Sequence, residues 1–130
     1  GAWTFLGSLC PTDMAAFYPN IDMLVIPSLN STEAFGLVQI EAMLNGAPSI
    51  ASALPGVRQP VLRHGMGKVT PIGDAQALAE AVIEIANHPF KYRSDPQAIR
   101  EMYAPETIAI EYEHLFQEIV DEIRQHEKKY

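Results

Sequence analysis

The stretch MLVIPSLNSTEAFGLVQIEAMLNGAPSIASA, residues 23–53, contains the pattern that decides the fold. Its continuous apolar run over residues 23–28 is typical of a strand that is buried on both faces. Apolar residues then recur at helical spacing over residues 35–46, and residues 48–53 form a second buried-strand pattern. Because a helix joins the two strand patterns, the stretch predicts parallel strands and an α/β fold.

The rest of the chain continues the alternation of strands and helices. Further strands are predicted over residues 3–6 and 67–71. The other predicted helices cover residues 12–18, 57–64, 74–88, 94–104 and 105–128. We therefore predict a partial doubly wound, Rossmann-like parallel sheet of about four strands, with flanking helices and a long C-terminal helix. Residues 1–130 are predicted to form one domain that begins inside a larger one, because a strand pattern starts almost at the first residue.

Charge and cysteine content exclude several classes of partner and site. The formal net charge of −7 argues against a nucleic-acid or anionic-membrane partner, which would favour a basic face. Lys and Arg are absent before Arg58, so an anion bound by the first half must use backbone N–H groups. Cys10 is the only cysteine, which indicates a reducing, cytoplasmic setting. The chain has no apolar run long enough to span a membrane.

Two glutamates mark the candidate site. Glu33 lies in the loop before the predicted helix, at the side of a parallel sheet where ligands bind, and Glu41 lies inside that helix. Between them, the N–H groups of Phe35, Gly36 and Leu37 are predicted to be unpaired first-turn donors for a phosphate or sugar oxygen. The two carboxylates are about 12 Å apart along a helix of eight residues, and each accepts well from a vicinal hydroxyl pair.

These residues belong to a longer signature. The order Pro27-Ser28, Glu33-x-Phe35-Gly36-Leu37, Glu41-Ala-Met and Gly46-x-Pro48 resembles that of retaining glycosyltransferases of family 4, also called glycosyl transferases group 1. Those enzymes have the two-domain GT-B fold. The likeness continues through LPGVRQPV, residues 54–61, and HGMGKVTPIGDAQALAEAV, residues 64–82, and reaches the last helix. The chain therefore resembles the later part of the C-terminal, donor-binding domain of such an enzyme.

The resemblance implies a role for each residue of the candidate site. Glu33 would be the catalytic residue that hydrogen-bonds the transferred sugar near the reacting centre. The donor would also be bound by Ala34, Phe35, Gly36 and Leu37, and Glu41 would take the hydroxyls of its ribose. The resemblance implies no metal and no other cofactor.

The resemblance also implies a hexosyltransferase of carbohydrate biosynthesis. It would transfer a sugar from a nucleoside diphosphate sugar to a glycan, lipid or small-molecule acceptor with retained configuration. We expect activity only together with an N-terminal domain, in a cytoplasmic protein for which peripheral membrane association is left open. Two departures stand out: Gln59 replaces a glutamate that is common in the family, and the usual Arg/Lys pair for the diphosphate is missing before Arg58.

Other readings of the chain stay open or fail. A non-catalytic nucleotide-sugar-binding or interaction module with the same fold is the main alternative. A phospho-receiver domain is disfavoured because no acidic cluster follows an early strand. The segment GMGKVT, residues 65–70, does not match a phosphate loop, since Leu62 and Val69 occupy two required positions. Arg58, Arg63 and Lys68 are predicted to be surface charges, and the four histidines have no metal-ligand spacing.

Overall fold

A parallel sheet of three strands is the centre of the fold. The computed structural model describes residues 3–32 and 34–127, with the side chain of Glu127 excepted. The strands are β1 (Leu24–Ile26), β2 (Ser49–Ser52) and β3 (Gly67–Thr70), in the order β1-β2-β3. Val25 is paired with Ile50, which is paired with Lys68. All three strands have their carboxyl ends at one edge of the sheet.

Helices precede, connect and follow the strands. They are α1 (Pro11–Phe17), which continues into a 3-10 turn (Tyr18–Asn20), α2 (Leu37–Leu44), α3 (Gln59–His64), α4 (Ala75–Asn87), α5 (Pro96–Met102) and α6 (Pro105–Glu127). The predicted α/β fold with a parallel sheet and a long C-terminal helix is confirmed. The predicted cap of α4 is also present, because Oδ1 of Asp74 accepts from the backbone N–H of Ala77 at 2.9 Å.

The strand predicted over residues 3–6 is absent from the described chain. Trp3 and Phe5 lie in irregular backbone, with 84% and 85% of their surfaces exposed. Residues of high β propensity form a strand only where a neighbouring strand supplies hydrogen bonds and a face to pack on. The described sheet therefore has three strands instead of the predicted four.

Helices cover both faces of the sheet, as the doubly wound prediction requires. On one face, Val25 and Ile50 pack with Ala81 and Ile85 of α4. On the other face, Leu24 packs against the cluster that contains Tyr18, Ala42 and Ala47. Because Leu24 and Val25 are neighbours in one strand, they point to opposite faces, and each face receives its own layer of helices.

The buried face of α2 differs from the predicted one. The apolar spacing over residues 35–46 places Leu37 and Val38 on the inward face, but they are 67% and 36% exposed. The buried positions are Gln39, Ile40, Ala42 and Met43. A glutamine, Gln39, occupies one of the buried positions of this helix. Hydrophobic spacing alone does not reveal a buried polar residue.

The chain divides into two compact units, Gly1–Pro96 and Gln97–Tyr130. The first contains the sheet and every residue of the candidate site. In the second, α6 carries the predicted apolar stripe, whose members Tyr112 and Phe116 have ring centroids 6.0 Å apart. None of the described helices is both long and apolar enough to cross a membrane. That residues 1–130 form one domain stays a prediction.

Candidate functional site

The loop between β1 and α2 carries the first of the two glutamates. It leaves β1 at the carboxyl end, the side of a parallel sheet where ligands bind. Within it, the backbone N–H of Thr32 donates to Oδ1 of Asn30 at 3.0 Å, which closes a tight turn just before the glutamate. Glu33 itself lies outside the described residues, so its catalytic role stays a prediction.

Helix α2 begins two residues later than predicted. Gly36 is its N-cap, with a left-handed backbone of φ 75°, and Leu37 is the first helical residue. The backbone N–H of Gln39 donates to the carbonyl oxygen of Gly36 at 2.9 Å. The prediction that the N–H groups of Phe35 and Gly36 belong to the first turn is therefore wrong. By helix geometry, the first-turn donors are those of Leu37 and Val38.

The residues that lead into α2 border a shallow depression. Its volume is about 330 Å³, and it is lined by Ala34, Phe35, Gly36, Leu37 and Val38. Ala34 and Leu37 are exposed, Phe35 is half-buried and Gly36 is buried. The four residues predicted to bind a ligand beside Glu33 thus lie next to one another on one surface, around the start of the helix.

Gln39 fixes this region from the inside of the fold. Its side chain is fully buried. Nε2 donates to the carbonyl oxygens of Phe35, at 3.3 Å, and Val57, at 2.8 Å. Oε1 accepts from the hydroxyl of Ser49 at 2.9 Å. One amide therefore connects the loop before α2, the loop after β2 and the middle strand.

The same two loops also touch through their backbones. A Cβ atom placed on Gly56 would lie 1.7 Å from the carbonyl oxygen of Ala34, far inside any allowed contact. Only a glycine permits this approach. The segment that precedes α2 is therefore held in position by direct packing as well as by the Gln39 amide.

Glu41 lies on α2, and its carboxylate has one side-chain hydrogen-bond partner among the described residues. The hydroxyl of Tyr18 donates to Oε2 of Glu41 at 2.5 Å. The apolar neighbours Ile40 and Ala42 favour partial burial of Glu41, but the residue is exposed, so that expectation is wrong. Within the described part of the chain, Glu41 forms no ion pair. Its carboxylate keeps Oε1 and a lone pair of Oε2 for a ligand.

A pocket of about 490 Å³ opens in front of Glu41. Its walls are mostly apolar, and the polar side chains among them are those of Tyr18, Glu41 and Asn45. The full lining is Leu9, Pro11, Met14, Ala15, Tyr18, Glu41, Leu44 and Asn45. A carboxylate at the mouth of an apolar cleft suits a ligand that presents a hydroxyl pair beside a flat or apolar group.

Tyr18 was not identified from the sequence. The residue is 4% exposed. Burial, followed by the hydrogen bond to Glu41 and its negative charge, raises the pKa of the Tyr18 hydroxyl above its ordinary value, so it remains a donor at neutral pH. Tyr18 and Glu41 are 23 positions apart, and they meet only because the 3-10 turn packs on α2. A sequence has no spacing rule for such a contact.

Lys68 and Lys91, two basic residues of the first unit, lie close to a glutamate of α4. Nζ of Lys68 lies 3.3 Å from Oε2 of Glu84, and Nζ of Lys91 lies 2.9 Å from Oε1. Nε of Arg58 is buried without a hydrogen-bond partner. Among the described residues, no three His, Cys, Asp or Glu side chains form a group that could hold a metal ion.

Comparisons with known proteins identify relatives. A family model described as "Glycosyl transferases group 1" matches residues 1–88. A phosphatidyl-myo-inositol mannosyltransferase of Mycobacterium leprae is 39% identical over 82 residues, 62% of this chain and 21% of its own length. A D-inositol 3-phosphate glycosyltransferase of Corynebacterium urealyticum is 30% identical over 105 residues, 81% of this chain and 23% of its own length.

A solved structure agrees with the sequence relatives. Sucrose-phosphate synthase from Thermosynechococcus elongatus superimposes with a TM-score of 0.71 and 33% sequence identity. The match covers 91% of this chain and 30% of that one. The chain thus spans less than a third of the length of the proteins that it resembles.

Proposed function

Since this chain belongs to the glycosyl transferases group 1 family, we propose that it is the donor-binding part of an enzyme that uses a nucleoside diphosphate sugar. The observation that carries the proposal is the position of Glu41. It stands on the helix that starts at the Ala34–Leu37 depression, and it faces a separate, mostly apolar pocket. One extended ligand can lie along such a helix and contact both places.

The nucleoside end of the donor fits the Glu41 pocket. A ribose presents two adjacent hydroxyls, and a carboxylate offers two oxygens to accept from them. The apolar side chains of Leu9, Met14 and Leu44 supply a surface for the base. Because Tyr18 already occupies part of Oε2, the carboxylate does not have to turn to receive the ribose.

The sugar and diphosphate end fits the start of α2. The first-turn N–H groups of Leu37 and Val38 and the positive end of the helix dipole favour a negatively charged oxygen there. Glu33, next to this surface in sequence, is proposed to contact the transferred sugar as the catalytic residue. Its support is the family signature, since the residue lies outside the described part of the structure.

We extend the proposal to the stereochemistry of transfer, the cofactors, the source of cationic groups, the acceptor and the location of the enzyme. Transfer would retain the configuration of the sugar and need no metal or other cofactor. Cationic groups for the leaving diphosphate would come mostly from an N-terminal domain of the same enzyme, because residues 1–57 contain no Lys or Arg. The acceptor would be a glycan, a lipid or a small molecule. The complete enzyme would be cytoplasmic.

Binding and turnover of a nucleotide sugar in the complete protein test the proposal. Replacing Glu41 with glutamine removes charge-assisted hydrogen bonds, and we expect donor affinity to fall about tenfold. Glu33→Gln should lower kcat more than it changes KM, because a contact near the reacting centre strengthens in the transition state. Calorimetric titration and initial rates measure the two effects.

The matched control is Glu80→Gln, which changes an exposed glutamate of α4 whose Oε1 accepts from Gln76. It should leave affinity and turnover unchanged. Unchanged values in both site variants would contradict the proposal. Donor binding without turnover in the wild-type complete protein would instead support the alternative, a non-catalytic nucleotide-sugar-binding or interaction module.

A further inference from the structure

Tyr18 is the side chain that holds the carboxylate of Glu41, and its own position is fixed by the fold. We propose that Tyr18 is a positioning residue for ribose recognition: it orients Glu41 so that the carboxylate receives the two ribose hydroxyls without rearranging. The inference rests on the proposed function, since it assigns a role within the same donor site. Tyr18 precedes the signature described above, which begins at Pro27.

The burial of Tyr18 makes it a rigid donor. Its ring belongs to the cluster with Ala42 and Ala47 on one face of the sheet. The ring of Phe17 lies edge-on to it, with centroids 6.1 Å apart. Pro19 follows in the 3-10 turn and restricts the backbone. A ring packed in this way is held in one rotamer, so its hydroxyl is directed at Oε2 of Glu41.

The partner of this hydroxyl is an otherwise mobile side chain. Glu41 is exposed, and in the described residues no cation pairs with its carboxylate. A free glutamate samples several rotamers, and binding a ligand requires it to give up that freedom. The bond from Tyr18 selects one orientation before the ligand arrives, and preorganisation of this kind raises affinity.

A second pair in the same unit provides a structural comparison. The hydroxyl of Tyr92, which is 7% exposed, donates to Oε1 of Glu84 at 2.5 Å. Glu84 also contacts Lys68 and Lys91, so its carboxylate is fully used inside the protein. Glu41 has the same tyrosine contact, and no lysine or arginine of residues 3–32 and 34–126 forms an ion pair with it. A carboxylate that binds an external ligand needs acceptor positions that the protein does not already use, and Glu41 meets this requirement where Glu84 does not.

Ribose-dependent affinity tests the inference in the complete protein. ADP, GDP and UDP are titrated together with their 2′,3′-dideoxy counterparts, and the nucleotide that binds is carried forward. In the wild type the ribonucleotide should bind more tightly. Tyr18→Phe keeps the ring and removes only the hydroxyl, and we expect the ratio of ribo to dideoxy affinity to fall roughly fivefold. The dideoxy affinity itself should stay within about twofold of the wild-type value, since that ligand makes no use of Glu41.

Tyr92→Phe is the matched control, because it deletes an equally short hydroxyl–carboxylate bond of a buried tyrosine away from the pocket. It should lower stability without changing the ratio. A Tyr18→Phe ratio equal to the wild-type value, while Glu41→Gln abolishes the preference, would overturn the role of Tyr18 and leave the donor site standing. No ribose preference in the wild type would overturn the proposed function and this inference together.

A second measurement keeps the native hydroxyl and therefore does not depend on how Tyr18→Phe folds. Tyr18 is replaced by 3-fluorotyrosine in the complete protein, and its ¹⁹F resonance is followed during titration. The ribonucleotide should shift the resonance clearly more than the dideoxy nucleotide does, because only the former engages the carboxylate that the hydroxyl touches. Equal shifts with the two ligands would contradict the inference.

Discussion

Gln39 is a buried amide in a helix whose other inward residues are apolar. Its two donor hydrogens go to the carbonyl oxygens of Phe35 and Val57, and its oxygen accepts from Ser49. A buried amide is favourable only where its hydrogen bonds are satisfied, and here three are made. The residue therefore stabilises the fold and holds the backbone that leads from Glu33 into α2.

Replacing Gln39 with leucine tests this role. The new side chain has a similar size but no polar atoms, so two carbonyl oxygens and a hydroxyl lose their buried partner. We expect the free energy of unfolding to fall by about 2 kcal/mol. Urea unfolding of wild type and variant measures the change. Donor affinity should also fall, because the Ala34–Leu37 segment loses its anchor to Val57.

The control is Gln76→Leu in α4, where an exposed amide donates to Oε1 of Glu80. Its free energy of unfolding should change by less than about 0.5 kcal/mol. If the free energy of unfolding fell equally in the two variants, the buried hydrogen bonds of Gln39 would contribute no more to stability than the exposed one of Gln76. At this scale the sequence identifies Glu33 and Glu41 as candidate carboxylates, whose roles stay predictions, and it does not indicate the side chains that support the region around them. Gln39 and Tyr18 act through contacts with residues distant in sequence, and no periodic pattern encodes those contacts.

At the scale of elements, a charge cluster joins α4 to β3. Glu84 of α4 accepts from the hydroxyl of Tyr92 and lies close to Lys91 and to Lys68 of β3. The Tyr92 hydrogen bond first, and then the two lysines, lower the pKa of Glu84 from 4.5 to about 2. The cluster is on the surface, so added salt should weaken it.

Because the pKa of Glu84 is lowered, the stability of the folded chain depends on pH. A carboxyl that ionises more easily in the folded chain stabilises it above the unfolded pKa, and that contribution is lost as the pH falls from about 4.5 to about 2. The Glu84→Gln variant has no carboxyl at this position, so its stability should lack this loss at low pH. The gap in melting temperature between wild type and variant should therefore be largest near pH 6 and narrow towards pH 2.5. Glu80→Gln, on the same helix, should show no such narrowing, and a constant gap for Glu84→Gln would rule out the assignment.

Elements were predicted well where local and tertiary signals agree. The pattern of α4 has Asp74 as its cap and apolar positions at helical spacing, and the helix is present as Ala75–Asn87. Strands β1, β2 and β3 lie within the apolar runs assigned to them. The strand predicted over residues 3–6 was wrong, since a strand needs a neighbouring strand to pair with, and β propensity does not supply one. The start of α2 was misplaced because Gly36 adopts a left-handed cap, which apolar spacing does not encode.

For the whole molecule, the distribution of charge decides how much of a ligand the chain can hold. All nine Lys and Arg residues lie at or after Arg58, and the net charge is −7. The residues that line the Glu41 pocket and the start of α2 all precede Arg58, so these residues themselves offer a diphosphate backbone N–H groups and no cationic side chain. The chain spans less than a third of the length of these relatives, and we propose that cations for the diphosphate come from another domain.

This distribution predicts how the isolated chain, residues 1–130, discriminates between nucleosides and nucleotides. In the proposed site, binding of the nucleoside uses Glu41 and the apolar pocket, which lie within residues 1–130. Binding of the diphosphate needs charge-assisted hydrogen bonds, each worth roughly tenfold or more in affinity when the partner is a cation. We expect the isolated chain to bind UDP no more than about threefold more tightly than uridine, and the complete protein to prefer UDP by about a hundredfold or more.

Calorimetric titration of both proteins at two ionic strengths measures these ratios, after circular dichroism has established that the isolated chain is folded. Adenosine with ADP and guanosine with GDP are used in the same way if uridine does not bind. A strong diphosphate preference in the isolated chain would contradict the prediction. Arg58→Gln would then be the decisive variant, because Nε of Arg58 is buried without a partner and the residue follows the loop that packs on Ala34. Loss of the preference in that variant would assign the phosphates to this chain, and the site would no longer need a second domain to hold its donor.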